Sequence, residues 1–391
     1  MIATRDVKVS AVDATQKPVI ANLIQIISMT SPHDMAALSV FHVTETGHHD
    51  DDFLDRLWQH PDFEMCVMAS SAGSCLCKAA GGTLGKHAAA CAAPLAKGAD
   101  WDYLEQVTTG AFALDQTRGR ITREGIRIYD DADFAGMRVA GRCAAEILDM
   151  VVPLVVPGAT TGAIDAFITD EIARRGVVSA TVGYKGYQHA SCISVNHVVC
   201  HGIPGGKIPG RANDALVHMD IVNIDVTVIV DGWFGDTSRM YVAGPVKPFA
   251  TRLINVTHDA LMRGVAAVKP GNTFGDIGHA IQAYVEGQRM SVVRDFCGHG
   301  LGRVFHAPPN VLHYGRAGSG PVLEEGMFFT IEPMVNLGRP ETKVLADDWT
   351  AVTRDKSLSA QFEHTVGVTA AGCVIFTGSP AGLFHPTWGQ G

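Results

Sequence analysis

The chain has 391 residues, of which 47% are hydrophobic, and carries a formal net charge of −9 at pH 7. Its apolar content suffices for the core of one large domain or two ordinary ones. The net negative charge argues against direct binding to nucleic acid or to an anionic membrane, because the long-range field has the wrong sign. The sequence contains no run of about eighteen apolar residues, so no membrane span is predicted. With nine irregularly spaced cysteines and no clear signal-peptide cleavage site, the sequence favours a cytoplasmic protein.

Residues 1–124 differ in composition from the rest of the chain. Residues 66–100 are dominated by Ala, Gly, Ser and Cys and show neither the helical nor the strand period. This composition predicts a poorly structured N-terminal extension of unknown role. One folded domain is expected over residues 125–379, followed by a C-terminal tail over residues 380–391.

Four helices are predicted in two pairs. Apolar residues recur at helical spacing over residues 131–152 and 164–175, and the pattern returns over residues 252–268 and 274–285. Pro153 and Gly176 mark the ends of the first two helices. The paired arrangement indicates an internal repeat.

The residues outside the helical segments support this repeat. The segment that begins at Pro157-Gly158 is echoed at Pro270-Gly271, 113 residues later. Polar residues then recur in the same order in both halves: His201, Asp225 and Asp236 in the first half, and His306, Glu332 and Glu363 in the second. Glu363 is expected within a strand over residues 359–366. An excursion of the chain through residues 337–355 separates this strand from Glu332. We infer two αβ halves related by a pseudo-twofold axis, each presenting a histidine and acidic residues to a shared cleft.

The stretch from Asn223 to Ser238 predicts a β-hairpin with its turn at Asp231-Gly232. With this turn, Asp225 lies opposite Ser238, and Asp236 points to the same face of the sheet as Asp225. Two carboxylates on a half-buried face repel each other, which favours a bound metal ion. From the hairpin alone, a turn cap or an exposed side chain beside a bulge remains an equal alternative.

Five residues from the two halves form a candidate metal site: Asp225, Asp236, His299, Glu332 and Glu363. Four carboxylates and one imidazole suit Mn, Fe(II), Co(II), Zn or Mg and exclude a thiolate zinc site. Four acids exceed the charge of one divalent ion but suit two. Two ions about 3.5–4 Å apart can share carboxylates and activate water, so hydrolysis is the predicted chemistry. His201 and His306, outside this set, are candidates to hydrogen-bond a carbonyl oxygen.

From about residue 126 to residue 377, the chain resembles the type I methionine aminopeptidases of the pita-bread fold. That fold is α+β, with two pseudo-twofold-related αβ halves around a curved antiparallel sheet. The resemblance rests on six motifs: CISVNHVVCHGIP at 192–204, NIDVTV at 223–228, GDTS at 235–238, GHGLGR at 298–303, TIEPM at 330–334 and SAQFEHT at 359–365.

The resemblance implies roles for the metal-site residues. Asp236 and Glu363 would bridge two divalent ions, Asp225 would chelate one of them, and His299 and Glu332 would hold the other. Glu332 would also carry a proton from water to the leaving amine. His201 and His306 correspond to the two histidines of the family that lie beside the scissile peptide.

The resemblance also implies a pocket for the methionine side chain of the substrate. Its residues would be Tyr184, Tyr187, Cys192, Phe305 and Trp349. Aromatic faces and a polarisable thiol favour contact with a thioether, which gives this set a physical reason.

The chain departs from the family pattern in several places. Thr181 stands where some members have another pocket cysteine, and Lys185 where some have a histidine. The loop over residues 205–219 is longer than in compact bacterial members. Residues 1–124 lie outside the resemblance and lack the paired Cys and His spacing of a zinc-finger extension.

The implied function is a dinuclear, metal-dependent aminopeptidase that removes the initiator methionine from nascent proteins with a small second residue. It would act as a cytoplasmic monomer, with the ribosome as a candidate partner. Two alternatives stay open: an X-Pro aminopeptidase or dipeptidase of the same fold, which shares the five metal ligands, and a non-catalytic pita-bread binding protein.

Overall fold

The computed structural model describes residues 65–69, 74–78, 85–86, 119–384 and 386. The chain divides into two units between residues 104 and 105. Most of the predicted extension over residues 1–124 and half of the predicted tail over residues 380–391 lie outside the described residues, so both boundaries stay predictions. In the first unit, three strands pair antiparallel in the order β1 (Met65–Ala69), β2 (Ser74–Lys78) and β3 (Gly85–Lys86).

The described part of the second unit contains two pairs of α-helices. They are α1 (Asp131–Val151), α2 (Thr161–Arg174), α3 (Pro248–Ala266) and α4 (Phe274–Gly287). These bounds confirm the four predicted helices and move their ends by a few residues. No helix among the described residues has the length and apolar character needed to span a bilayer.

The helix starts show why the predicted ends moved. Helix α2 begins earlier than predicted because the side chain of Thr160 accepts a hydrogen bond from the backbone N–H of Ala163, which caps the helix. Helix α3 begins at Pro248, whose ring suits the first helical position. Apolar periodicity alone does not reveal either signal.

The remaining strands follow in chain order. They are β4 (Arg120–Ile121), β5 (Arg127–Ile128), β6 (Val178–Ser179), β7 (Cys192–Val195), β8 (Val198–Cys200), β9 (Asp220–Val230), β10 (Trp233–Ala243), β11 (Ser291–Val292), β12 (Gly298–Gly300), β13 (Ala307–Val311), β14 (Phe328–Ile331), β15 (Met334–Asn336), β16 (Thr342–Val344), β17 (Ala351–Thr353), β18 (Ser359–Gln361), β19 (His364–Thr369) and β20 (Gly372–Ile375).

Each half pairs a sheet with its own two helices. The first half has the strand order β10-β9-β6 with β7 also on β9, and the second has β13-β12-β14-β19-β20. Apolar residues such as Leu148 of α1 and Val226 of β9 form one core, and Leu261 of α3 and Phe329 of β14 belong to another. Burial of each such side chain stabilises the fold by about 1.5–3 kcal/mol. The helices therefore cover one side of each sheet.

The predicted hairpin is confirmed in its register. Asp231 and Gly232 form the turn with φ angles of 49° and 80°, and Asp225 lies opposite Ser238. The hairpin also joins the two halves, because the backbone N–H of Glu363 donates to the carbonyl oxygen of Ser238 at 3.0 Å. The acids of both halves are thus brought to one seam.

The predicted strand over residues 359–366 is wrong in one respect. It is divided into β18 and β19, and Glu363 lies between them. The physical reason is a change of partner, since β18 pairs with β15 and β19 pairs with β14. The excursion before it, through residues 337–355, supplies β16 and β17, and β17 pairs with β8 of the first half.

The loop over residues 205–219 is anchored at two points. Arg211 donates to the carboxylate of Asp220 at 2.6 Å. The carboxylate of Asp214 accepts from the backbone N–H of Gly162, at the start of α2, at 3.0 Å. These contacts tie the loop to the first half.

Gly235, beside Asp236 on β10, has no room for a side chain. A Cβ atom there would lie 2.2 Å from the carbonyl oxygen of Ala140 on α1. We therefore expect Gly235→Ala to push the hairpin from the helix and to lower the free energy of unfolding by about 1–3 kcal/mol in urea denaturation.

Gly287→Ala is the matched control. A Cβ at Gly287, in the last turn of α4, meets no atom within 4 Å. This variant is expected to be neutral or slightly more stable, because alanine favours the helix over glycine. Equal stability of Gly235→Ala and the wild type would contradict the close approach of β10 and α1.

Candidate active site

Three of the five predicted metal ligands meet at the seam between the halves. One side-chain ligand atom from each of Asp236, His299 and Glu363 lies within 4.8 Å of the others, and all three residues are buried. Nε2 of His299 is 3.4 Å from Oδ2 of Asp236 and 3.7 Å from Oε1 of Glu332. Glu332 therefore joins the cluster through His299.

Asp225 completes the group electrostatically. Burial, followed by the charges of Asp236 and Glu332, raises the pKa of Asp225 well above its usual range. Burial also raises the pKa of Glu363, with the charge of Asp236 as the next cause, and it raises the pKa of Glu332 to about 7 against the opposing charge of His299. The raised pKa values show that the acids carry more negative charge than one imidazole can balance. The group therefore fits a bound divalent cation.

The orientation of His299 supports the same reading. Burial alone would lower the pKa of His299, but the hydrogen bond to Asp236 and the charge of Glu332 raise it. Nδ1 lies 3.2 Å from the carbonyl oxygen of Gly300, which only accepts hydrogen bonds, so Nδ1 carries the hydrogen. Nε2 is therefore the nitrogen that faces the carboxylates, and it would offer its lone pair to a cation that displaces its proton.

Three polar side chains donate hydrogen bonds to the acids. Thr227 donates to Oδ1 of Asp236 at 2.7 Å, and Thr330 donates to Oε1 of Glu332 at 2.9 Å. Gln361 donates to the other oxygen of Glu332 at 3.4 Å. The sequence reasoning missed these residues. A signal was present for Thr227, which lies directly opposite Asp236 in the hairpin register.

His313 was also missed, and no local pattern indicates it. The residue is fully buried, and its Nε2 accepts a hydrogen bond from the backbone N–H of Glu332 at 3.0 Å. Burial lowers the pKa of His313 to about 3, so the ring is neutral and able to accept. His313 thus holds the backbone from which the Glu332 carboxylate extends.

The two predicted non-ligand histidines share a backbone conformation. His201 and His306 have φ angles of 56° and 57°, in the left-handed region that is costly for residues other than glycine. The ring of His306 has its centroid 4.2 Å from that of His299, and the ring of His201 lies 6.1 Å from that of Trp349. His306 therefore lies beside the acidic cluster, and His201 of the first half lies beside Trp349.

Both rings stay neutral near pH 7. Desolvation in the cleft, and then the charge of His299, lowers the pKa of His306 to about 4. Burial, and then the charge of Lys185, lowers the pKa of His201. A neutral imidazole has one ring nitrogen that donates and one that accepts, so each histidine can donate to a carbonyl oxygen.

The predicted pocket residues form two aromatic pairs. Ring centroids of Tyr184 and Phe305 are 4.9 Å apart, and those of Tyr187 and Trp349 are 4.8 Å apart. Cys192 lies opposite Asp225 in the pairing of β7 with β9. Burial, and then the charge of Asp225, raises the pKa of the Cys192 thiol, so it remains uncharged. The pocket surface is therefore aromatic and neutral in character.

The pair of Tyr184 and Phe305 contacts His306 directly. The hydroxyl of Tyr184 is 2.9 Å from Nδ1 of His306, and the ring centroid of Phe305 is 3.8 Å from that of His306. Of the two positions that depart from the family pattern, Thr181 donates its hydroxyl to the carbonyl oxygen of His189, and Lys185 is exposed. The roles assigned to these pocket residues stay predictions.

Comparison with known proteins identifies the family. Residues 135–370 match metallopeptidase family M24. The chain is 52% identical over 264 residues to a methionine aminopeptidase of Rickettsia prowazekii, across 67% of this chain and 99% of the relative. It is 50% identical over 255 residues to that of Escherichia coli strain K12, across 64% of this chain and 94% of the relative.

A solved structure agrees with the sequence comparison. The crystal structure of methionine aminopeptidase from Rickettsia prowazekii matches with a TM-score of 0.62 and 53% identity, across 64% of this chain and 99% of that chain. The match confirms the predicted pita-bread fold. The seam of acids, the paired histidines and these matches lead to one conclusion: the chain belongs to metallopeptidase family M24, among the methionine aminopeptidases.

Proposed function

We propose that this chain is a metal-dependent aminopeptidase that removes the N-terminal methionine from nascent polypeptides with a small second residue. The observation that carries the proposal is the convergence of Asp236, His299 and Glu363 within 4.8 Å at the buried seam. Such a cluster beside an aromatic pocket combines a hydrolytic centre with a site for a thioether side chain.

Two divalent ions are proposed for the cluster. Asp236 and Glu363 would bridge them, Asp225 would serve one, and His299 and Glu332 would hold the other. The crowded negative charge, expressed in the raised pKa values of Asp225, Glu332 and Glu363, supports two ions rather than one. Mn, Fe(II), Co, Zn and Mg all suit this donor set, and availability selects among them in the cell. When bound, such ions lower the pKa of coordinated water and supply hydroxide near neutral pH.

The protein groups would complete the reaction. Glu332, held by Thr330 and by His313 behind its backbone, would accept a proton from the attacking water and give it to the leaving nitrogen. His201 and His306 would donate hydrogen bonds to the carbonyl oxygen, on which negative charge develops. A pre-organised donor of this kind contributes a few kcal/mol to catalysis.

Two rival functions are less well supported. An X-Pro peptidase of the same fold would use the same five ligands, but the aromatic pocket with Cys192 suits a methionine side chain. A binding protein without catalysis would have no need to retain a complete set of buried acids, which are costly without a cation. The relatives at about half identity carry the name methionine aminopeptidase.

The substrate class suggests the cellular setting. Initiator methionine belongs to newly made chains, so we propose action in the cytoplasm on chains that emerge from the ribosome. All proposed site residues come from one chain, which makes a monomer sufficient. The catalytic domain is proposed to span residues 125–379.

The direct test is release of methionine from a Met-Ala-Ser peptide. The purified protein is expected to release methionine when Mn, Co, Fe(II), Zn or Mg is supplied separately, with chelator as the blank. An Ala-Pro peptide serves as the comparison and should remain intact. Absence of methionine release under every metal, by protein shown to be folded, would refute the proposal, and cleavage of only the Ala-Pro peptide would favour the X-Pro alternative.

The bridging assignment predicts different metal losses in two variants. Asp225→Asn should weaken one of two metal-binding events in calorimetric titration, whereas Asp236→Asn should weaken both. Removal of a ligand typically costs about 2–5 kcal/mol when it leaves other buried charges unpaired. Identical titration curves for the two variants would contradict the assignment.

Metal binding should stabilise the protein more at higher pH. The folded-state pKa values of Asp225, Glu332 and Glu363 are raised, so the metal-free fold is most stable below the unfolded-state values and loses stability as the pH rises through about 7 for Glu332. A cation binds the deprotonated acids and reverses this loss. The gain in unfolding free energy on adding metal should grow by up to about 1.4 kcal/mol per pH unit for each proton released. A gain that is constant from pH 6 to pH 8 would contradict the raised values.

A further inference from the structure

Lys185 occupies a constrained turn beside the pocket. The backbone φ of Lys185 is 48°, and its neighbours Gly183 and Gly186 each have a φ of 84°. The N–H of Gly183 donates to the carbonyl oxygen of Tyr187 at 2.7 Å, which closes the turn. Because this turn carries both Tyr184 and Tyr187, the backbone of Lys185 lies between two of the proposed pocket residues, and its side chain is exposed. We call this turn, residues 183–187, the entrance turn.

The segment that follows the entrance turn is anchored to the domain. The carboxylate of Asp165 on α2 accepts from the hydroxyl of Ser191 at 2.7 Å and lies 3.1 Å from Nδ1 of His189. The hydroxyl of Tyr187 donates to the carbonyl oxygen of Ser191 at 2.9 Å. These bonds limit the movement of the turn and therefore of the backbone that bears Lys185.

The ammonium group of Lys185 has no carboxylate partner among the described residues. Its Nζ lies 5.3 Å from the centroid of the Tyr184 ring, and the side chain is exposed. The Tyr184 hydroxyl in turn contacts His306, so the charge of Lys185 stands near the proposed position of the scissile peptide. Lys185 also acts electrostatically on His201, since its charge contributes to the lowered pKa of that ring.

The segment that bears Trp349 contains an acidic residue whose carboxylate is held by the backbone of that segment. Asp347, in the segment that bears Trp349, accepts from the backbone N–H groups of Trp349 and Thr350 at 3.0 Å and 2.8 Å. Asp347 keeps its negative charge, because backbone amides are neutral, but no ion pair joins its carboxylate to Lys185. A cation without a partner at an entrance attracts anionic groups of an incoming ligand.

We propose that Lys185 is a specificity-determining residue that favours substrates with an acidic side chain at the third position. The inference rests on the proposed aminopeptidase function, in which the amino terminus lies at the acidic seam and the rest of the peptide leads outward. Each extended residue spans about 3.3–3.6 Å, so the third residue passes the entrance turn. An acidic side chain there meets the Lys185 ammonium, and a basic side chain is repelled by it.

The test compares C-terminally amidated peptides of the series Met-Ala-Asp-Ser, Met-Ala-Asn-Ser and Met-Ala-Lys-Ser. Amidation removes the terminal carboxylate, so that any preference comes from the third side chain. The enzymes are the wild type, Lys185→Gln, Lys185→Glu and the control Lys269→Glu, which changes the same charge at an exposed lysine after α3. All reactions use the same metal, at low and at high salt.

The wild type should cleave the Asp peptide with a kcat/KM about threefold above that of the Lys peptide, a size typical of an exposed ion pair. Lys185→Gln should abolish the preference, Lys185→Glu should reverse it, and Lys269→Glu should keep it. The difference should lie in KM rather than kcat, because the contact is equal in the bound and transition states. High salt should reduce the preference by screening.

Two outcomes overturn the inference and are distinguishable. If all peptides are cleaved and the Asp-to-Lys ratio is the same in the wild type and Lys185→Glu, the inference fails while the aminopeptidase function stands. If no enzyme releases methionine from any peptide, including Met-Ala-Asn-Ser, the proposed function fails and the inference fails with it.

Discussion

The concentration of negative charge at one buried seam is the constraint on which the rest of this structure depends. Burial, together with the charge of Asp236, raises the pKa values of Asp225, Glu332 and Glu363. Neither half holds the full set, because the hairpin carries two acids and the second half carries the other two. The site therefore exists only when the halves pack together. The backbone bond from Glu363 to Ser238 is part of that junction.

The hairpin part of the site was predictable from the sequence because its geometry is local. A two-residue turn at Asp231-Gly232 determines which residues face each other, and the strand period of two then places Asp225 and Asp236 on one face. The repeat extended this reasoning to the second half. It did not reveal that Glu363 lies between two strands, since that break arises when the chain exchanges one strand partner for another.

Contacts made by distant segments escaped the sequence reasoning. His313 follows β13 and reaches the backbone of Glu332, yet nothing in its neighbourhood distinguishes it from an ordinary buried histidine. Gln361 lies within the SAQFEHT motif, but its contact with Glu332 depends on how β18 is placed. Thr160 shows the same limit in the fold, because a single hydroxyl extended α2 beyond its apolar pattern. Periodicity identifies elements, whereas such single bonds depend on tertiary placement.

The two halves differ in what they add around the shared seam, and we propose that specificity arises from this asymmetry. The paired histidines repeat even in backbone strain, with His201 and His306 both in the left-handed region. The aromatic surfaces do not repeat, because Tyr184 and Tyr187 come from a turn of the first half and Trp349 from the excursion of the second half. Pairing of β17 with β8 brings that excursion across to the first half. Changes in these surface segments leave the acids in place, so this fold can alter its choice of substrate without disturbing the hydrolytic centre.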